Sequence, residues 1–153
     1  DCTCSAPAIQ KYIHKISGPL LDRIDLHIEV APLSYQTLTD ATQESMANNI
    51  LEEVIRARKI QSERLMNEQL GLTNAQMNPS QLKKYCGIDK AGANLLQQAM
   101  EKFQLSVRSH DRILKVSRTI ADLANCDQIN AAHISEAIQY RCLDRSSWGT
   151  LKE

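Results

Sequence analysis

The sequence predicts a mostly α-helical protein, a helix bundle over residues 44–141 preceded by a short helix and strand within residues 1–32. Three observations predict this. Apolar residues make up 42% of the chain but aromatics only 4%, so the core is expected to consist of aliphatic side chains packed between helices. Apolar positions recur with helical spacing through residues 44–141. Residues 26–30 alternate apolar and polar side chains, which is the period of a strand.

The first element is a short helix that starts near Pro7 and is broken at Gly18-Pro19. The strand follows and ends at Pro32. One strand cannot form a sheet, and its backbone groups need a partner, so we expect it to belong to a sheet outside this chain. The positions that share one face of the first helix are Ile9, Tyr12, Ile13 and Ile16.

Residues 33–43 are polar and predict a linker, after which the longest helix runs to about residue 67. A loop from Gly71 is followed by a short helix from Pro79 to Tyr85, which ends at Cys86-Gly87. On this longest helix, the stripe of side chains that traces one face is Ile50, Val54, Ala57, Gln61 and Leu65.

Capping residues predict the last three helices of the bundle. Asp89 caps one, Ser106 or Ser109 the next, and Asn130 the last. Residues 142–153 have no periodicity and predict a loose tail. The side chains expected to face inward in the first of these helices are Leu96, Ala99, Met100 and Phe103. One side of the next helix carries Ile113, Val116, Ile120 and Leu123, and the last helix continues with Ile134, Ala137, Ile138 and Arg141.

Composition excludes a net positive potential over the whole surface that would attract nucleic acid. Eighteen basic and eighteen acidic residues cancel, so any contact with nucleic acid must be local. No apolar run approaches the ~20 residues of a membrane span, and no signal peptide is visible.

Five cysteines are an odd number, and three of them are scattered singly, which favours a reduced, cytoplasmic protein. The first residue is Asp1 rather than Met, which suggests a truncated chain.

Five motifs occur in an order typical of one family. After a Cys-x-Cys pair at residues 2–4 come KISGPLLDRIDL (15–26), LSVR (105–108), RTIADL (118–123) and EAIQYR (136–141). Over residues 2–141 the chain resembles the magnesium-chelatase-like AAA+ ATPases of the ComM (or YifB) competence group. We therefore expect a C-terminal piece of such an ATPase.

The resemblance implies a domain plan and a set of partners. Residues 1–32 would be the end of the AAA+ core, including its last strand, and residues 44–141 the C-terminal helical lid. The expected partners are the upstream core and the neighbouring subunits of a hexameric ring, with ATP and Mg²⁺ in the longer protein. The implied work resembles that of DNA helicases that drive branch migration during natural transformation.

The resemblance assigns the arginine finger to Arg23, which would act in trans on the ATP of the neighbouring subunit. Phosphoryl transfer spreads negative charge over the γ-phosphoryl oxygens, and a guanidinium held there contributes roughly 10³–10⁵ in rate. The alternative is a surface pair between Arg23 and Asp22, Asp25 or Glu29.

The same family motif places the sensor-2 arginine at Arg108, in the first turn of a helix. A positive charge beside the positive helix end is unfavourable and asks for an anion, which a γ-phosphate would supply. The alternatives are a surface pair between Arg108 and Asp111, or a sensor role for Arg112 one turn on.

Arg58, Gln61 and Arg64 share a helix face that could line a subunit interface or reach nucleic acid. Glutamates interleave them, so a solvated, mutually paired face is the favoured interpretation. Arg118 and Asp122 are spaced i, i+4, and a structural pair is expected.

Cys2 and Cys4 resemble half of a four-cysteine cluster, and the other half is absent from this chain. We expect no metal in this chain, but the two cysteines could form half of a metal site in the longer protein.

Gly87 and Gly92 have the spacing of a phosphate-binding loop, but Ala93-Asn94 stands where Lys and Ser or Thr are required. We therefore expect no ATP hydrolysis by this chain alone.

Two other functions remain open. One is a subunit of a metal-chelatase motor, which shares the fold and the finger. The other is a helical DNA- or protein-binding module, with residues 106–141 as a helix-turn-helix. The last helix is a poor recognition helix, because its start offers Asn130 and His133 but no basic cluster.

Overall fold

The structure is a computed structural model that describes residues 3–13, 15–28, 30, 43–67 and 73–141. Within these ranges it contains seven α-helices and one 3₁₀ turn, Asn74–Gln76. The predicted linker and the predicted tail from residue 142 lie almost wholly outside the described residues. The helices are α1 (Ala6–Ile13), α2 (Gly18–Leu21), α3 (Gln43–Leu65), α4 (Pro79–Tyr85), α5 (Lys90–Phe103), α6 (Val107–Leu123) and α7 (Ala131–Gln139).

Helix α6 is the centre of the bundle. It packs against α7, α3, α4 and the 3₁₀ turn, while α5 packs on α7. The predicted mostly helical fold is confirmed, and aliphatic side chains dominate the core as the composition indicated. The buried cluster comprises Leu65, Met77, Leu82, Cys86, Leu96, Ala99, Ile113, Leu114, Ala121, Ile129, Ile134, Ala137 and Ile138.

The helix starts follow local capping chemistry. The Asp89 carboxylate accepts the Gly92 N–H at 2.7 Å, and the Ser106 hydroxyl accepts the Ser109 N–H at 3.2 Å. Asn130 forms a capping box with His133. The three predicted caps are therefore confirmed, with Ser106 rather than Ser109 as the cap of α6.

The strand predicted over residues 26–30 is not formed in the residues described there, and its pairing with a sheet outside this chain stays a prediction. Residues 26–28 and 30 carry no ladder hydrogen bonds, and Ile28 is 67% exposed. A strand needs a neighbour, and the described part of the chain offers this segment none. Elsewhere in the described residues, β pairing is limited to an isolated parallel bridge between Ile88 and Ile129.

The segment after α2 packs against the end of the bundle. The His27 N–H donates to the Tyr140 carbonyl at 2.8 Å, and Arg112 of α6 forms an ion pair with Asp25. The N-terminal piece is thereby attached to α6 and to the end of α7. None of the helices described here is both long and apolar enough to cross a membrane.

Candidate functional site

Arg23 lies in the turn that follows α2, where its N–H donates to the Leu20 carbonyl at 2.9 Å. Its side chain is exposed, and within the described ranges no ion pair or side-chain hydrogen bond involves it. The two nearby aspartates are engaged elsewhere, Asp22 with Ser109 and Asp25 with Arg112. Within the described residues Arg23 pairs with neither aspartate, and the third alternative partner, Glu29, lies outside the described residues.

Arg141 holds the backbone on both sides of Arg23. Its guanidinium donates through Nη1 to the Ile24 carbonyl at 2.8 Å and through Nη2 to the Asp22 carbonyl at 3.4 Å. Arg141 ends the EAIQYR motif, but nothing in the sequence assigned it a role at the site. The partners lie more than 100 residues away, so no local pattern could have identified them.

Arg108 is the second residue of α6 and is exposed. The expected alternative partner, Asp111, instead contacts the His110 ring at 3.1 Å, and no described side chain pairs with Arg108. A cation in the first turn lies near the positive end of the helix dipole, so the position favours an incoming anion. Arg112, the other candidate, is already paired with Asp25.

The two arginines lie beside one hydrogen bond. The Ser109 hydroxyl donates to the Asp22 carboxylate at 3.3 Å, and Arg23 and Arg108 are the chain neighbours of these two residues. The hydrogen bond therefore brings together the backbone segments that carry the finger and sensor-2 candidates, which are 85 positions apart in sequence. The other two candidate arginines, Arg58 and Arg64, lie on α3 and are not chain neighbours of this hydrogen bond.

The face of α3 divides into two parts. Ala57, Gln61 and Leu65 are buried as the stripe predicted, but Ile50 and Val54 are exposed, as are the neighbouring Leu51 and Ile55. Arg58 is exposed and lines a cavity of about 270 Å³ together with Val54, Gln61, Thr73 and Thr119. Arg58 remains available to an interface or to nucleic acid.

Arg64 is not part of a mutually paired, solvated face. Its guanidinium donates to both Asp122 carboxylate oxygens, at 2.9 and 2.5 Å, and to the Asn74 side chain at 3.2 Å. The expected pairing with interleaved glutamates is wrong for Arg64, because α3 packs its last turns against α6. The hydrogen bonds to Asp122 raise the pKa of Arg64, although burial acts in the opposite direction.

Asp122 is the centre of a buried polar cluster. Besides Arg64, it accepts from Asn74 at 2.8 Å and from Arg118 Nε at 3.1 Å. Arg118 also donates to the carbonyls of Asp127 and Cys126. The structural pair predicted for Arg118 and Asp122 is confirmed, and it extends to α3.

The cysteines described here do not form a metal site. Cys4 is exposed and Cys86 is buried, while Cys2 lies outside the described residues. Among the described side chains, no group of three or more His, Cys, Asp or Glu residues could hold a metal ion. Burial raises the pKa of the Cys86 thiol to about 11, against the opposing charges of Arg118 and Arg64.

A second cavity lies beside the Arg23 segment. It has a volume of about 300 Å³, is mainly apolar, and is bounded by residues 25–28, α6, α7 and Ala75. Neither Arg23 nor Arg108 lines it. Its lining residues are Asp25, Leu26, Ile28, Ala75, Lys115, Val116, Thr119, Ile120, Leu123, Glu136 and Tyr140.

Two family profiles match the chain. Residues 43–141 match the profile described as magnesium chelatase, subunit ChlI C-terminal, and residues 1–38 match magnesium chelatase, subunit ChlI. The boundary between the two matches falls close to the start of α3.

Curated relatives agree with the profiles. The chain is 39% identical to the competence protein ComM of Haemophilus influenzae over 92% of its own length and 27% of that protein. It is 33% identical to the YifB proteins of Salmonella typhimurium and Escherichia coli, over 93% of the chain and 27% of each relative. The chain thus spans about a quarter of the length of these relatives. It belongs to the magnesium-chelatase-like family of ComM and YifB and corresponds to the C-terminal part that carries the ChlI C-terminal domain.

Proposed function

We propose that this chain supplies two phosphate-directed arginines to an AAA+ ATPase related to ComM. Arg23 is the finger that acts in trans on the neighbouring subunit's ATP, and Arg108 is the sensor-2 arginine of the helical lid. The observation that carries this proposal is that both guanidinium groups are exposed and have no described ion pair, while Asp22, Asp25 and Asp111 all have other partners.

The two side chains fit a triphosphate. A guanidinium is always charged and offers a planar fork that matches phosphate oxygens, and an unpaired one needs no internal ion pair to be broken first. Bound ATP supplies the γ-phosphoryl group, and Arg23 would stabilise the charge that develops on its oxygens. Arg108, at the N-terminal turn of α6, would connect phosphate binding to the position of the lid.

The rest of the machinery belongs to the longer protein. This chain has no Lys and Ser or Thr after its Gly-x₄-Gly spacing, so ATP hydrolysis by the chain alone is not expected. ATP and Mg²⁺ are assigned to a site completed by the upstream core and a neighbouring subunit, in a hexameric ring in the cytoplasm. The half-site of Cys2 and Cys4 remains a proposal for that longer protein.

The proposed work is DNA processing, by analogy with a relative named competence protein. Branch migration during natural transformation is the form that the family resemblance implies. Of Arg58 and Arg64, Arg58 is the one that could contact DNA, since the Arg64 guanidinium is bound to Asp122. The net charge of zero restricts such contact to a local patch.

A metal-chelatase motor is the second candidate, and the names of the two matching family profiles favour it. Both candidates use the same finger and lid and differ in what the ring acts on. ATP hydrolysis by the longer protein that is accelerated by forked DNA would favour the first. Acceleration by a porphyrin-loaded partner would favour the second.

Mixed rings test the trans role of Arg23. In the longer protein, Arg23→Ala is expected to lower kcat by about 10³-fold or more, with ATP binding retained, because the finger acts on charge that develops in the transition state. Arg23→Ala subunits mixed with subunits inactivated at the upstream ATP site should regain part of the parental activity, because an intact ATP site on the Arg23→Ala subunit can then use the Arg23 of its neighbour.

The control is Arg56→Ala, an exposed arginine of α3 whose described contact is a 3.4 Å hydrogen bond to the Leu123 carbonyl. Its mixtures with parental subunits should keep the parental rate. Failure of the two inactive subunit types to restore activity when mixed would contradict action in trans. An unchanged kcat would reject Arg23 as the finger.

A further inference from the structure

We infer that Arg141 is a positioning residue for Arg23, and that it joins the finger turn to the helix end that carries Arg108. The inference rests on the proposed function of Arg23 and assigns a role to a residue that touches no nucleotide. Arg141 follows α7 and is 2% exposed, so it can act only through its protein partners.

The first argument is the choice of partners. Arg141 donates to the carbonyls of Asp22 and Ile24, the two residues that flank Arg23. The direction of a side chain in a turn is set by the backbone dihedrals around it, so fixing the peptide groups on both sides fixes where the Arg23 side chain begins. A planar fork can hold two carbonyls at once, which a lysine ammonium does less well.

The second argument is the connection to α6. Nη2 of Arg141 also donates to the Ser109 hydroxyl at 3.2 Å, and that hydroxyl donates to the Asp22 carboxylate at 3.3 Å. Ser109 is buried and is the residue after Arg108. A movement of this end of α6 is therefore transmitted to the finger turn through Arg141 and Ser109.

Arg118 provides a matched comparison within the same bundle. It is also 2% exposed, and its guanidinium also holds two backbone carbonyls, those of Asp127 at 2.7 Å and Cys126 at 2.5 Å. Those carbonyls belong to the turn after α6 rather than to the finger turn. Loss of either arginine disturbs a buried network, but only Arg141 contacts the residues that flank Arg23.

The experiment compares Arg141→Lys, Arg141→Met and Arg118→Met in the longer protein, each alone and combined with Arg23→Ala. Both Arg141 variants are expected to lower kcat about 10²-fold per folded molecule, the scale of a misplaced catalytic group, with the KM for ATP little changed. Combined with Arg23→Ala, they should add no further loss. Arg118→Met should lower the activity only by lowering the folded fraction. When it is combined with Arg23→Ala, the two losses of activity should add.

Amide exchange gives a readout that does not depend on hydrolysis. The N–H groups of Arg23, Ile24 and His27 donate to Leu20, Leu21 and Tyr140, and these bonds should open more often in the Arg141 variants than in Arg118→Met. Ser109→Ala covers the case in which Arg141→Met does not fold. It removes both hydrogen bonds of the Ser109 hydroxyl, from Arg141 and to Asp22, but leaves the bonds of Arg141 to the finger turn, and about a tenfold loss of kcat is expected.

Each result decides between the proposals. If Arg23→Ala lowers kcat and the folded Arg141 variants keep the parental kcat, the positioning role is overturned and the finger stands. Losses that add to that of Arg23→Ala would also overturn it, since they would mean a general structural role. If Arg23→Ala leaves kcat unchanged, the proposed function fails, and the inference that depends on it fails too.

Discussion

Five arginines of this chain have different roles because their surroundings differ. Arg23 and Arg108 are exposed without a described ion pair, which leaves their charge available to a phosphate. Arg64 and Arg118 share the buried Asp122 carboxylate, and Arg141 holds backbone carbonyls. Residue type alone cannot separate these roles, since each guanidinium has the same charge and reach.

Cys86 predicts a pH dependence at the same scale. Burial raises its pKa from 9.0 to about 11, so above pH 9 the unfolded chain loses a proton that the folded chain keeps. The free energy of unfolding should therefore fall between pH 9 and pH 11 by a Cys86 contribution on the order of 2 kcal/mol. Urea unfolding across this range, compared with Cys86→Ala, isolates the thiol from other groups. Parallel curves for the two proteins would contradict the prediction.

Single helices could be predicted from local chemistry, whereas their packing could not. Asp89, Ser106 and Asn130 are caps whose partners lie within three residues, so the sequence identified them correctly. The packing of α3 depends on Arg64 meeting Asp122, 58 positions later, and the glutamates close to Arg64 suggested another partner. The first half of α3 has an apolar stripe without a described neighbour, so periodicity there indicated a helix but not its burial.

Removing the Asp122 carboxylate should separate α3 from α6. Asp122→Ala leaves Arg64 and Arg118 buried without their shared counter-charge, and we expect a loss of about 3–5 kcal/mol in the free energy of unfolding. Asp122→Asn keeps the shape and should lose less. Asp111→Ala is the control, because Asp111 lies on the same helix but is 41% exposed. Urea unfolding gives all three values, and a loss under ~1 kcal/mol for Asp122→Ala would refute the shared-charge account.

For the whole molecule, the main feature is the attachment of the N-terminal segment to the bundle. The contacts that attach it are His27 to Tyr140, Asp25 to Arg112, and Arg141 to the finger turn. No strand is formed here among the described residues, because alternation reports which side chains face a sheet, not whether the sheet is present. The motifs selected Arg23 and Arg108 as candidates, but the hydrogen bond between their chain neighbours Asp22 and Ser109 is a tertiary contact that no spacing encodes.

A chain that begins at Gln43 should still fold, with lower stability. It keeps the core around α6 but loses the carbonyls that bind Arg141, and we expect the free energy of unfolding to fall by about 1–3 kcal/mol. Arg141→Met should then be less costly in the shortened chain than in the complete one. Circular dichroism during urea unfolding measures both differences. Equal costs in the two chains would mean that the segment does not use Arg141.

The separation between Arg141 and Ile24 also orders events during synthesis. The ribosome releases the finger turn first and adds the arginine that holds it 117 residues later, an interval on the order of ten seconds at typical elongation rates. Until α7 is complete, the turn around Arg23 lacks the hydrogen bonds that Arg141 donates. If Arg23 is the proposed finger, a nascent subunit would not offer its neighbour a positioned finger before almost the whole of this chain has been translated.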